Sequence, residues 1–221
     1  FEGDKREGYR LLRSIKNRFG STDDLVLLSM TEKGLIQVPN PSAAFLQERV
    51  QGAVGSAIVA TLKGSRATLI EIQALVAKSS FTTATRRCSG IDHKRLSLLL
   101  AVLEKKMGYP LYNLDVFVSS VGGVKISEPA ADFAILLAIA SSFVNKPLQS
   151  DCLFLGEIGL GGEVRSSHRI EPRIKEAVNM GFKKCLLSQK QATALESKWG
   201  KKIELVGVCS VSDVIERYLK H

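Results

Sequence analysis

The sequence predicts an α/β fold, and three observations carry that expectation. Strand-like runs alternate with helix-like periods over residues 152–221, the order expected when helices cross over a sheet. Residues 133–140 are apolar without a break, inside a segment that begins at Pro129 and reads as a helix with no face made for water. Hydrophobic residues make up 45% of the 221 positions, ample for a core.

Composition narrows the partners. A net charge of +9 suggests an anionic partner, nucleic acid being the usual one, against the alternative of a basic surface with no partner. Cys88, Cys152, Cys185 and Cys209 are scattered, with no C-x-x-C pair and only three histidines, so the pattern does not suggest zinc ligation. They read as reduced, mostly buried thiols of a cytoplasmic protein. No apolar run approaches the roughly 20 residues of a membrane helix, so no membrane partner is expected. Residues 1–10 are too charged for a signal peptide, and a start at Phe1 rather than Met is expected of a piece of a longer chain.

The elements follow in order. Residues 3–15 fit either a short amphipathic helix or a charged loop leading into a strand. KNRFG at 16–20 precedes a strand at 23–30, a turn at Glu32, Lys33 and Gly34, and a strand at 35–38. On an extended segment Lys16 and Arg18 point the same way and would clamp a phosphate; the alternative is a solvated basic strand end. Asn40 and Pro41 start a helix reaching about Arg49, and the strands ending before it set a domain boundary between 1–38 and 39–221. Residues 55–62 and 68–76 flank Lys63-Gly64-Ser65-Arg66 as a hairpin whose second arm has one continuous apolar face. Residues 79–90 are polar and read as a mobile loop. Asp92 then caps a helix from His93 to Met107, with Leu96, Leu99, Leu100 and Leu103 as its buried stripe. Residues 115–121 form a strand feeding the central helix.

Beyond that helix come a strand at 152–155, an apolar hairpin at 156–164 and a helix at 168–180 ended by Gly181. A strand at 184–187, a helix at 189–199, a strand at 203–208 and a helix capped by Ser210 complete the chain. The glycines at 156–162 do not form a dinucleotide-binding G-x-G-x-x-G. The turn before the central helix is a common home for a nucleophile, but Ala130 there has no atom that could attack, and the nearest hydroxyl is Ser127. The arginines and lysines of residues 86–106 give a net charge of +4, which fits phosphate contact or plain solubility.

Five blocks together carry a resemblance: KNRFG at 16–20, NPSAAFL-x-ER at 40–49, GIDHKRLSLLLAVLEK at 90–105, GGVKISEPAADFA at 122–134 and GEVRSSHRIEPRIKEA at 162–177. The sequence resembles the bacterial RadA (Sms) family of DNA repair ATPases over essentially its whole length. The resemblance implies that residues 1–38 are the tail of a recombinase-type ATPase core and that 39–221 form a Lon protease-like (inactive) α/β domain. The family is a hexameric, ATP-driven motor that works beside the recombinase and promotes branch migration.

Active Lon proteases use a serine activated by a lysine base. By motif, Pro129-Ala130-Ala131-Asp132 takes the place of their Pro-Ser-Ala-Gly turn, so Ala130 stands at the serine position, and Glu171 stands at that of the lysine. Both members are missing, and no catalytic residue is expected. The resemblance also implies that Lys16 and Arg18 reach a neighbouring subunit's nucleotide in trans. No G-x-x-x-x-G-K-[ST] loop occurs, so this chain by itself is not expected to hydrolyse ATP; ATP, Mg2+ and Zn2+ are implied for the family rather than for this stretch. The expected role is a ring-assembly scaffold with a surface for single- and double-stranded DNA, its candidate contacts being Arg86, Arg87, Lys94, Arg95, Arg165, Arg169 and Arg173. The alternative is a Lon-type peptidase or peptide-binding domain, for which Ser127 or Ser166 would need a deprotonated lysine beside it.

Overall fold

A computed structural model of the chain describes residues 9–13, 25–31, 34–80 and 83–219. Strands β1 (Tyr9–Arg13), β2 (Leu25–Thr31) and β3 (Gly34–Gln37) form an antiparallel sheet in that order. Of the two readings left open for residues 3–15, the structure shows extended chain at Tyr9–Arg13. Five residues cannot repay the nucleation of a free-standing helix, whereas pairing Tyr9 with Ser29 and Arg13 with Leu25 satisfies the backbone at once. KNRFG, with Lys16 and Arg18, lies outside the described residues.

Helix α1 (Pro41–Leu46) starts as its sequence suggests: the Asn40 side chain accepts from the Ala43 N–H at 3.0 Å, and Pro41 occupies the first turn. It stops three residues short of Arg49, whose Nη1 donates to the Ser150 carbonyl at 2.7 Å instead.

A mixed seven-stranded sheet follows. Its strands are β4 (Ser56–Lys63), β5 (Arg66–Lys78), β6 (Arg86–Ser89), β7 (Leu114–Ser120), β8 (Cys152–Phe154), β11 (Lys184–Ser188) and β12 (Glu204–Val208), in the order β12-β11-β8-β4-β5-β7-β6. Pairing is parallel from β12 to β4, antiparallel for β4-β5 and β5-β7, and parallel again for β7-β6. A small hairpin of β9 (Glu157–Ile158) and β10 (Val164–Arg165) stands apart.

The central helix α3 (Asp132–Val144) is buried along Asp132–Ser141 and packs on β4 and β5. Its entry is a tight turn, Pro129–Ala131. Helix α2 (His93–Met107), capped by Asp92 at Arg95 N–H (2.9 Å), packs on α3 through Leu96, Leu99, Leu100 and Leu103. Helices α4 (Ile170–Asn179), α5 (Gln189–Trp199) and α6 (Val211–Tyr218) complete the crossovers. In β4 and the first half of β5 consecutive residues are buried at both parities, Ala57 to Ala60 and Leu69 to Ile72, so both faces are covered there. The single apolar face expected of β5 is found only beyond Gln73, where Ala74 is buried and Leu75 exposed.

Residues 79–90 depart from expectation most. Their C-terminal part is not a mobile loop but strand β6, paired in parallel register with β7 from Arg86↔Val116 to Ser89↔Ser119. Polar bonds hold it: the Thr85 N–H donates to Asp115 Oδ1 at 2.6 Å, and the Arg86 guanidinium donates to the carbonyls of Leu111 (2.5 Å) and Leu114. Gly90 closes the strand at φ +72°, where a Cβ would fall on the Ser120 hydroxyl and 2.7 Å from the Val124 carbonyl.

Among the described residues no helix is long and apolar enough to cross a membrane. Cys152 and Cys185 are buried, Cys88 is half-buried and Cys209 exposed, and all four are free thiols. Burial pushes the Cys152 thiol up to about 12.

Candidate nucleic-acid interface

The turn into α3 holds salt bridges where a nucleophile could have stood. Ala130 is buried and carries no heteroatom. On one side of it the Glu128 carboxylate accepts from the Leu62 N–H at 2.9 Å and pairs with Arg173. The Arg173 side chain is 2% exposed and also donates to the Ala60 carbonyl, so α4, β4 and the turn are tied through one guanidinium. On the other side Asp132, 1% exposed, takes a two-pronged contact from Arg95, with Nε to Oδ1 at 2.6 Å, and accepts from the Ile158 N–H at 3.1 Å. Burial pushes the Asp132 carboxyl up, and the bonds from Arg95 and Ile158 work against it.

Glu171, expected from the resemblance at the Lon lysine's position, forms an ion pair with Lys198. Ser127 is exposed, and Ser166 Oγ lies 3.0 Å from Ser188 Oγ. Among the described residues no lysine ammonium bonds to either hydroxyl, and a serine without a base in reach is not activated.

The seven cations singled out in the sequence fall into different environments. Arg86, Arg95 and Arg173 are committed inside the fold to carbonyls or carboxylates. Arg165 is exposed but paired with Glu163, Nε to Oε1 at 2.9 Å. Lys94 is exposed on the first turn of α2. Arg87 is exposed on β6, beside a groove of about 520 Å3 that also takes in Leu75 and Phe117.

Arg169 alone joins a cluster. It caps α4 in the left-handed region, φ +49°, which costs a non-glycine residue about 1 kcal/mol. From there its Nη1 donates to the Gly64 carbonyl, 3.0 Å away, in the turn between β4 and β5. The same turn carries Lys63, whose Nζ donates to the Lys125 carbonyl at 3.0 Å, and Arg66, whose Nη2 donates to the Pro39 carbonyl at 2.9 Å. Lys63, Arg66 and Arg169 thus gather round one hairpin turn, with Lys125 held beside it through its backbone carbonyl, and none of the four is in an ion pair among the described residues. Reading the sequence for runs of charge misses Lys63, Arg66 and Lys125 as contacts. The Lys63-Gly64-Ser65-Arg66 turn is legible, but its neighbours lie 62 and 105 residues further along.

Among the described residues no group of three or more His, Cys, Asp or Glu side chains is placed to hold a metal ion.

Fold and site define an α/β domain on a mixed seven-stranded sheet, with salt bridges at the mouth of its central helix and a basic cluster at a hairpin turn. A family profile described as subunit ChlI of Mg-chelatase matches residues 101–191. The DNA repair protein RadA of Listeria monocytogenes is 43% identical over 221 residues, 99% of this chain and 48% of that protein. Its namesake from Bacillus subtilis is 46% identical over 219 residues, 99% and 47% of the two chains, and that of Streptococcus pneumoniae 45% over 217 residues, 98% and 51%. The chain belongs to the RadA family of DNA repair proteins, and it spans about half the length of these curated relatives.

Proposed function

We propose that this chain is the DNA-contacting and ring-assembling part of a DNA repair ATPase, in which residues 39–221 form a Lon-like scaffold that has given up proteolysis. The reading rests on one observation above all, the convergence of Lys63, Arg66 and Arg169 on a single hairpin turn, with the Lys125 backbone beside it and no carboxylate paired to any of the four among the described residues. Phosphates supply the counter-charge such a cluster lacks, and backbone contacts of this kind position a protein on DNA without reading sequence. Filling the Lon serine and lysine positions with Ala130 and Glu171 fits a domain kept for its shape.

In the same reading residues 1–38 belong to the ATPase core, and Lys16 and Arg18 approach a neighbouring subunit's nucleotide in a hexamer. ATP and Mg2+ then act at the core, a recombinase is the working partner and the setting is the cytoplasm. Branch migration is the activity proposed for the whole assembly.

Fluorescence anisotropy of labelled single- and double-stranded DNA across a salt series tests the DNA surface. Four phosphate contacts on duplex give a log-log salt slope of about −3.6, at −0.9 each. Absence of binding at low salt would leave the domain a ring scaffold only.

A further inference from the structure

A second recess opens beside the basic turn. A cleft of about 680 Å3 lies between the Ser65-Arg66-Ala67 end of the β4-β5 turn and the Glu171, Pro172, Lys175, Asn179 stripe of α4, with Lys198 and Trp199 of α5 on its remaining wall. That volume is in the range of small-ligand sites, roughly 300–1,000 Å3. Of its two acids, Glu171 is neutralised by Lys198, while Glu176 is held by the Ser42 hydroxyl and keeps its charge, so the cleft's cations outnumber its anions by one. Arg66 and Lys175 are left facing it without a carboxylate partner among the described residues. Pro172 and the edge of Trp199, a side chain only 8% exposed, supply apolar wall, and Asn179 an amide able to donate and accept.

Two cations for a phosphate, an apolar wall for a ring and an amide for its polar edge are the requirements of one nucleotide. Arg66 belongs to the basic cluster as well, so a strand lying on the turn passes the mouth of the cleft. A paired base has both faces stacked and its edge occupied, whereas an unpaired one is free to turn into a recess. We infer that the cleft receives a single unpaired nucleotide of a DNA strand held on the basic turn, its phosphate against Arg66 and Lys175. The inference rests on the proposed DNA surface and adds to it a preference for single strands.

Trp199 is the chain's one tryptophan, so its emission reports on the cleft directly. The purified chain is titrated with a 20-nucleotide oligothymidine, with a duplex of the same length and with thymidine 5′-monophosphate, following emission and anisotropy together. Oligothymidine is expected to change the emission saturably and in step with anisotropy, duplex to bind with little change, and the monophosphate to give the same change at much higher concentration. Lys175→Gln is expected to weaken oligothymidine binding roughly fivefold and duplex binding by less than about twofold, with Lys78→Gln, exposed at the opposite end of β5 from Arg66, as the control that moves neither. Unchanged emission while anisotropy reports bound oligothymidine would overturn the cleft and leave the DNA surface standing, as would an equal loss for both DNAs in Lys175→Gln. A response to the monophosphate without any DNA binding would instead remove the surface and keep a free-nucleotide site. No response to any probe removes both.

Discussion

Two turns of this molecule use the same side chain in opposite ways. At the mouth of α3, Arg95 and Arg173 are turned inward onto Asp132 and Glu128, and the guanidinium charge is spent within the fold. At the β4-β5 turn, Arg66 and Arg169 each give one N–H to a backbone carbonyl and have no carboxylate partner among the described residues. A carbonyl fixes a guanidinium in place without neutralising it, so the second turn is oriented but still cationic. Counting arginines along a chain does not distinguish these uses; what each one faces does.

The comparison can be broken by exchanging the consequences of mutation. Arg173→Ala is expected to cost the most stability, about 3–5 kcal/mol, because it strands Glu128 and the Ala60 carbonyl. Urea or thermal unfolding should register this as a drop in Tm of about 10 °C, while DNA affinity at 25 °C stays the same in the folded fraction. The triple change of Arg66, Lys125 and Arg169 to Ala is expected to do the reverse. DNA affinity should fall about 100-fold, with the duplex salt slope shallower by about 2.7, while the midpoint in urea moves little. A large stability loss from the triple variant would mean that the basic turn is structural after all.

Arg95→Ala comes next, at about 2–3 kcal/mol, since it leaves the buried Asp132 carboxylate facing only the Ile158 N–H. Its deficit should depend on pH. Burial already raises Asp132 above the unfolded value, so the folded state holds the proton more tightly, and stability from this group grows as pH falls through that window. The deficit of Arg95→Ala, measured in urea, is therefore smaller near pH 4 than at pH 7. Smallest of all is Arg165→Gln, which breaks an exposed pair with Glu163 worth under about 1 kcal/mol and should barely shift the urea midpoint.

How much of this is legible in the sequence follows from where each determinant sits. The capping residues Asn40, Asp92 and Ser210 lie within a few residues of what they govern, and α2 and α5 run over the residues expected of them. Strand β6 was not legible, because Arg-Arg-Cys-Ser has no apolar alternation and its partners, Leu111 and Leu114, come 25 and 28 residues after Arg86. The candidate site is split likewise. Loss of a nucleophile at Ala130 is plain from one position, whereas Arg173 reaching Glu128 across 45 residues, or Arg169 reaching Gly64, is a tertiary fact. A charge run in sequence is read as surface by default, and Arg173, 2% exposed, shows how far that default can miss.

The mixed sheet also sets an order of assembly. Strands β4 and β5 pair through a two-residue turn, from Lys63↔Arg66 outward to Ser56↔Gln73, so their contacts close the shortest loop in the seven-stranded sheet. The parallel pairs β4-β8 and β8-β11 join chain segments far apart in sequence, and such closures come slowly. The hairpin bearing the basic turn is therefore the part of the sheet expected to form first. Pulse-labelled hydrogen exchange during refolding should protect the amides of Ala57–Ala60 and Leu69–Ile72 before those of Cys185–Leu187; simultaneous protection would refute this order.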